Sequence, residues 1–135
     1  MSDRSARGAA RFRSATPVLR CADYPRAREH YTRVLGFKVT EEGGEPPRFG
    51  ILERERAVLY LDSWHGGPAP DRSGWDVYFH IDDLDSLFDA YREAGAEIVR
   101  TIETTVYGMR EFEVLDPDGN RLCFGEDAEP EEKQA

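Results

Sequence analysis

The sequence has no long hydrophobic stretch and lacks the marks of an exported or membrane protein. No apolar run approaches the roughly 18 residues that a membrane-spanning helix needs. Residues 1–14 contain four arginines but no apolar core of a signal peptide. We therefore expect a cytoplasmic protein that does not bind membranes, with a disordered N-terminal arm at residues 1–13.

Cysteine and histidine are scarce as well. Cys21 and Cys123 are the two cysteines, each lies in an apolar strand-like run, and no CxxC pair occurs. This pattern predicts reduced, buried thiols and provides no structural zinc motif. The three histidines, His30, His65 and His80, lack the close spacing of a helix-borne metal site. We expect His30 to be solvated and His65 to lie on the surface.

Positive charge is in deficit, because the formal net charge is −9. An acidic surface repels phosphate backbones, which argues against nucleic-acid binding. It also favours a cationic ligand over an anionic one. The alternative, that the excess of acidic residues serves only solubility, stays open.

The chain contains an internal repeat, which is its most informative feature. Asp23 and Tyr31 recur 60 residues later as Asp83 and Tyr91. Three further pairs lie 63 residues apart: Phe49 with Phe112, Leu52 with Leu115, and Leu59 with Leu122. Each half is predicted to form a strand, a helix with an N-terminal Asp and a glycine after its last turn, and three further strands.

This pattern predicts an α+β fold of two tandem βαβββ modules in one domain, residues 14–126. The predicted strands are 15–21, 37–42, 47–53, 57–62, 75–81, 97–104, 110–115 and 121–125, and the predicted helices are 24–35 and 84–94. The modules are 14–62 and 75–126, with a linker at 63–74 and a disordered acidic tail at 127–135. We expect the sheets to align into a curved mixed sheet with a concave cleft. A duplicated ferredoxin-like sandwich is the alternative, but three consecutive strands after each helix fit it less well.

Three segments resemble the vicinal oxygen chelate superfamily of glyoxalases, bleomycin-resistance proteins and dioxygenases. They are SATPVLRCADYPRAREHYTRVLGF (14–37), WDVYFHIDDLDSLFDAY (75–91) and YGMREFEVLDPDGNRLCFGE (107–126). The GxREF-like stretch that leads into DPDGN is most similar to the bleomycin-resistance branch. The resemblance implies a two-fold homodimer with binding crevices between subunits, sometimes with an exchanged N-terminal strand.

The enzymes of this superfamily hold a metal through one residue on the first and last strand of each module. The resemblance places these positions on Thr16, Tyr60, Asp76 and Cys123. A hard divalent ion prefers nitrogen and oxygen donors such as histidine, glutamate and glutamine, and of these four only Asp76 is a good ligand. We therefore expect no metal, no cofactor and no catalytic residue. The alternative is a displaced metal site around Asp76 and His80.

Strand alternation places several polar and aromatic residues on the face of Asp76. The predicted ligand-binding residues are Thr16, Tyr60, Asp62, Trp64, Asp76, Tyr78, His80, Tyr107, Arg110 and Cys123. Such a lining suits a cationic or aromatic molecule held by stacking and by carboxylates. The role of Tyr107 is implied by the resemblance. For Arg110 an internal ion pair with Glu111 or Glu113 is the alternative, and Trp75 is predicted to pack under a helix.

Three functional hypotheses follow. The first is a metal-free binding protein of the bleomycin-resistance type that sequesters a cationic or aromatic drug or metabolite in a crevice at a dimer interface. The second is a metal-dependent, glyoxalase- or dioxygenase-like lyase or oxygenase that uses Asp76 and His80. The third is an interaction or regulatory domain with a vestigial cleft.

Overall fold

A computed structural model describes residues 8–67 and 73–129. In chain order its elements are β1 (Val18–Arg20), α1 (Tyr24–Arg33), β2 (Lys38–Gly43), β3 (Phe49–Arg54), β4 (Ala57–Asp62), β5 (Val77–His80), α2 (Leu84–Ala94), β6 (Glu97–Thr104), β7 (Met109–Leu115) and β8 (Arg121–Asp127). The tandem βαβββ arrangement is confirmed. β4, α2 and β6 begin and end at the predicted residues.

The eight strands form two four-stranded sheets, one in each module. The orders are β1-β4-β3-β2 in the first sheet and β5-β8-β7-β6 in the second. In each sheet the first strand pairs in parallel with the last, and the other neighbours are antiparallel. Within the described ranges no strand pairing joins the two sheets.

Both helices begin after an aspartate whose side chain accepts one of the free backbone N–H groups of the first turn. The side chain of Asp23 accepts the N–H of Arg26, and that of Asp83 accepts the N–H of Ser86, each at 3.3 Å. Gly95 ends α2 with a φ of 87°, a left-handed conformation that glycine adopts without steric cost. The repeated Asp and Gly of the sequence therefore mark the two ends of α2.

Each helix covers one face of its own sheet, and the covered faces share a single core. In β4, Leu59 and Leu61 are buried beneath the helix, while Tyr60 points to the other side. Phe37 of the first module lies 5.9 Å, ring to ring, from Phe79 of the second. The face of each sheet that its helix does not cover is called here the open face.

The DPDGN turn between β7 and β8 joins the modules. Its Asp116 carboxylate accepts the buried Tyr31 hydroxyl of α1 at 2.7 Å. Asp118 accepts the N–H of Ala22 at 3.0 Å, and the Asn120 amide donates to a carbonyl of β1 at 2.9 Å. On α2, the Tyr91 hydroxyl donates to the Leu35 carbonyl at 2.7 Å. The sequence predicts the turn but not this role.

His30 lies beside this junction and is half-buried, so its predicted solvation was wrong. Its ring centre is 5.7 Å from that of Tyr31, and burial lowers its pKa. The neutral imidazole is favoured here because charging it would require solvation that the junction excludes.

The predicted terminal segments are described only in part. Residues 1–7, 68–72 and 130–135, from the predicted arm, linker and tail, lie outside the described residues. β8 runs to Asp127 and Ala128 is buried, so ordered structure extends into the predicted tail.

Cys21 and Cys123 are free and buried, as predicted. None of the described helices has the length and apolar character to cross a membrane.

The junction predicts a graded effect of removing single hydroxyls. Tyr31→Phe removes a buried hydrogen bond to a carboxylate and should lower the free energy of unfolding by about 2 kcal/mol. Tyr91→Phe removes the bond to the Leu35 carbonyl and a long contact of 3.3 Å from Arg54, but Arg54 still donates to that carbonyl at 2.8 Å, so the variant should cost about 1 kcal/mol. Urea unfolding measures the free energy of unfolding of both variants. If its dependence on urea concentration is the same as in the wild type, the same amount of surface is exposed on unfolding. Equal losses, or a loss in Tyr31→Phe too small to measure, would contradict this account of the junction.

Candidate functional site

Aromatic side chains cluster on the open face of the first sheet. Phe49 of β3 stacks on Trp64 with ring centres 5.5 Å apart and planes 7° apart, and it meets Tyr60 edge-on at 5.2 Å. The indole of Trp64 passes so close to Gly43 that a Cβ there would lie 3.1 Å from it. A glycine at this position lets the tryptophan lie flat against β2.

Asp62 fixes the loop that presents Trp64. Its buried carboxylate accepts the N–H of Trp64 at 2.8 Å and the Nδ1 of His65 at 2.6 Å. Burial opposes ionisation, but these two hydrogen bonds outweigh it and hold the pKa of Asp62 below its usual value. The carboxylate predicted to bind a ligand is therefore already engaged, and His65 is anchored to it.

A network of charged side chains occupies the open face of the second sheet. In β7, Phe112 and Val114 face the core, and the alternate residues Glu111 and Glu113 face outward. Glu111 is nevertheless fully buried beneath neighbouring side chains. It accepts the hydroxyls of Tyr78 at 2.8 Å and Tyr107 at 2.9 Å, and Nη2 of Arg100 at 2.7 Å.

Glu113 extends this network toward the start of β5. It accepts the Trp75 indole N–H at 3.0 Å and Nη1 of Arg121 at 2.9 Å, and it lies 3.0 Å from the Arg100 guanidinium. Trp75 is therefore half-exposed on the open face, with its ring centre 5.0 Å from that of Tyr78. The prediction that Trp75 packs under a helix was wrong, because the indole turns toward a hydrogen-bond acceptor.

The protonation states of the groups in this network are well defined at neutral pH. For Glu111, burial raises the pKa, but the hydrogen bonds from Arg100, Tyr78 and Tyr107 outweigh burial and lower it. Burial, followed by the bond to Glu111, raises the pKa of Tyr78 and of Tyr107. At neutral pH the carboxylate is thus ionised, and both phenols keep their protons as donors.

The four positions that the resemblance assigns to metal ligands do not carry a donor set that suits a divalent metal. Thr16 and Tyr60 belong to the first module, and Asp76 and Cys123 to the second. Asp76 already accepts the backbone N–H of Arg121 at 2.7 Å. Burial, with the nearby Glu111 and Glu113, raises the pKa of Cys123 to about 12, which keeps the thiol protonated. In the described part of the chain, no three His, Cys, Asp or Glu side chains group as metal ligands.

His80, the second member of the displaced metal site, is exposed. Its ring centre lies 5.0 Å from that of Tyr78. It also borders a groove of about 770 Å³ between the modules, which β5, α2 and the β3–β4 turn line. His80 therefore adds an imidazole to the edge of the open face.

Arg110 has other partners than those predicted. Both of its terminal nitrogens bond the Asp85 carboxylate at 3.0 Å, and Nη1 also bonds Glu126 at 2.9 Å. Residues 110 and 112 share the helix-covered side of β7, so Arg110 lies off both open faces and not at the ligand-binding position predicted for it. Its partners also differ from Glu111 and Glu113, the alternative. Arg110 ties β7 to the first turn of α2.

The other nine predicted site residues divide between two surfaces. Tyr60, Asp62 and Trp64 lie at the open face of the first sheet, with Thr16 just before β1, and Asp76, Tyr78, His80, Tyr107 and Cys123 lie at that of the second. Sequence reasoning missed Arg100, Glu111, Glu113 and the outward position of Trp75. The alternation in MREFEVL, with acids at every second place, was the available signal for the two glutamates.

Comparisons with solved structures show how widely this fold occurs. A bleomycin-binding protein in complex with bleomycin is 23% identical, covers 86% of this chain and 99% of its own, and has a TM-score of 0.72. A bleomycin resistance determinant encoded on the transposon Tn5 is 24% identical, and the alignment covers 86% of this chain and 98% of the determinant with a TM-score of 0.73. A glyoxalase-related enzyme from Clostridium phytofermentans is 21% identical, with 89% and 98% covered and a TM-score of 0.74. At these identities the likeness shows the fold alone.

Sequence comparison identifies the family. No curated protein matches the chain. The family model described as Glyoxalase/Bleomycin resistance protein/Dioxygenase superfamily matches residues 13–124, most of the chain. The match includes both modules and the turn that joins them. The chain belongs to the glyoxalase/bleomycin resistance protein/dioxygenase superfamily.

Proposed function

We propose that the protein is a metal-free binding protein that sequesters an aromatic small molecule, a drug or a metabolite, against its open faces. One observation carries the proposal: large aromatic side chains are exposed on both faces. Trp64 is 46% exposed on the first sheet, while Trp75 and Tyr107 are 47% and 58% exposed on the second. Exposed aromatic groups concentrated on one kind of surface are typical of binding sites.

The exposed rings are held in place before any ligand arrives. Trp64 is fixed by stacking on Phe49, and Trp75 and Tyr107 by hydrogen bonds to Glu113 and Glu111. A ring that is already immobilised loses little conformational entropy when a planar ligand stacks on it. This arrangement supports recognition of flat aromatic groups.

A second copy of the chain would turn these shallow faces into a crevice. No helix of the same module covers either open face. Val18, at the edge of the first sheet, is 51% exposed. We propose a two-fold homodimer in which the first sheet of one copy faces the second sheet of its partner. The ligand would then stack between Trp64 of one copy and the rings of Trp75 and Tyr107 of the other.

The metal-dependent alternative lacks comparable support. Its two residues are Asp76, which is bonded to the backbone of Arg121, and His80, which lies at the exposed edge. Two donors leave most of the coordination sphere of a divalent ion to water. The interaction-domain hypothesis requires no site for a planar molecule, so ligand binding distinguishes it from the proposal.

Calorimetry tests the binding proposal directly. With EDTA present, bleomycin or the neutral planar probe acridine should bind with measurable heat. Trp64→Ala or Trp75→Ala should weaken binding roughly 3- to 10-fold, the scale of one lost aromatic contact. Trp64→Phe is the matched control, since it keeps a ring and should retain most of the affinity. The absence of heat with both probes, or near-stoichiometric Mn, Fe, Ni or Zn in protein purified without chelators, would overturn the proposal.

Sedimentation velocity tests the dimer. The wild-type protein should sediment as a species with twice the mass of one chain. Val18→Glu should shift the protein toward monomer and weaken acridine binding, because it places a charge on an apolar edge of the open face. Ala94→Glu, which adds the same charge at the exposed end of α2 and away from both open faces, should leave the dimer intact. A monomeric wild type that binds the probe with full affinity would rule out the shared crevice.

A further inference from the structure

Arg100 of β6 occupies the centre of the network on the open face of the second sheet. Its Nη2 bonds Glu111 at 2.7 Å and lies 3.0 Å from Glu113, and its Nη1 bonds Glu103 at 2.8 Å. One guanidinium thus pairs with three carboxylates. Two of them are buried, and Glu103 is exposed.

The charges of this network nearly cancel. Glu103, Glu111 and Glu113 contribute three negative charges, and Arg100 and Arg121 two positive charges, so one net negative charge remains. Without Arg100, the same group would carry two net negative charges next to the exposed rings. The charge that a ligand meets on this face therefore depends on Arg100.

Two other carboxylates near the open faces, those of Asp62 and Asp76, are already engaged. Asp62 is bonded to Trp64 and His65, and Asp76 accepts the N–H of Arg121. A ligand cation would have to compete with Arg100 for Glu111 or Glu113. That competition is unfavourable, because a guanidinium between carboxylates forms strong charge-assisted hydrogen bonds.

The guanidinium itself is well placed to meet a ligand. The side chain of Arg100 is 27% exposed and lies between the carboxylates that hold Trp75 and Tyr107. Guanidinium nitrogens are donors only, so this position offers hydrogen bonds to an acceptor atom such as a ring nitrogen or a carbonyl oxygen. It offers nothing favourable to an ammonium group.

We propose that Arg100 is the specificity-determining residue for ligand charge. Together with Arg121 it neutralises Glu111 and Glu113, so the site prefers a neutral planar aromatic molecule that carries a hydrogen-bond acceptor over a planar cation of the same shape. The inference rests on the proposed function, since it assigns the class of ligand that the open faces take. It departs from the preference for cations that the acidic composition alone suggests.

Two planar probes of matched shape test the proposal. Acridine is neutral at pH 7.5 and has one ring-nitrogen acceptor, whereas 9-aminoacridine is a cation at this pH. Calorimetric titrations should show that the wild-type protein prefers acridine. Arg100→Gln keeps an amide donor for Glu111 but removes the charge, so it should raise the affinity for 9-aminoacridine about tenfold or more. Its affinity for acridine should change less than about threefold.

Glu103→Gln is the matched variant of opposite sign. It removes the exposed partner of Arg100 and one negative charge, so it should lower the affinity for 9-aminoacridine about two- to threefold and spare acridine. Because Glu103 is 59% exposed, this variant decides the question even if Arg100→Gln fails to fold. Arg33→Gln, on the exposed side of α1, controls for net charge and should change neither affinity.

The outcomes separate the two proposals. If Arg100→Gln and Glu103→Gln alter both probes equally, or leave both unchanged, Arg100 does not set the charge preference. Wild-type binding of acridine in that case still supports the proposed function. If no variant binds either probe, both proposals fail together. Opposite shifts for 9-aminoacridine alone establish the role of Arg100.

Discussion

The buried hydrogen bond from the Tyr31 hydroxyl to the Asp116 carboxylate is the contact on which the arrangement of the two modules depends. The same carboxylate accepts the backbone N–H groups of Asp118 and Asn120, both at 2.9 Å, and so shapes the turn to which it belongs. One acidic side chain thus organises a hairpin and binds it to the neighbouring module. This contact lies on the helix-covered side, where the covered faces of both modules merge into one core, and it leaves the other faces uncovered.

The sequence predicts the repeating elements well, because local signals define them. The Asp caps, the glycine after each helix and the strand alternation determine where α2, β4 and β6 begin and end. It predicts the site less well, because the site depends on contacts between strands far apart in the chain. Trp75 and Glu113 are 38 residues apart, and nothing near Trp75 in the sequence indicates that its N–H finds an acceptor on β7. Arg110 and Asp85 illustrate the same limit at a separation of 25 residues.

The polar residues of the second module have a different distribution from that of the superfamily's metal sites. By the resemblance, the ligand positions lie on the first and last strands of each module, whereas Thr16 and Asp76 lie just before β1 and β5, and Tyr60 and Cys123 lie on β4 and β8. The charged side chains of the network lie on three strands of the second module: Arg100 on β6, Glu111 and Glu113 on β7, and Arg121 on β8. These groups satisfy one another, and the two glutamates also accept hydrogen bonds from Tyr107 and Trp75.

The protonation states of Glu111, Tyr78 and Cys123 bear on the proposed function. A general acid or base works best when its pKa lies near the working pH. The environment moves these three groups away from neutrality: the pKa of Glu111 falls, and those of Tyr78 and Cys123 rise. Each of the three therefore stays in one protonation state across the physiological range. Such groups hold the aromatic surface in a constant geometry and charge, which suits the proposed stacking of a planar ligand better than it suits proton transfer.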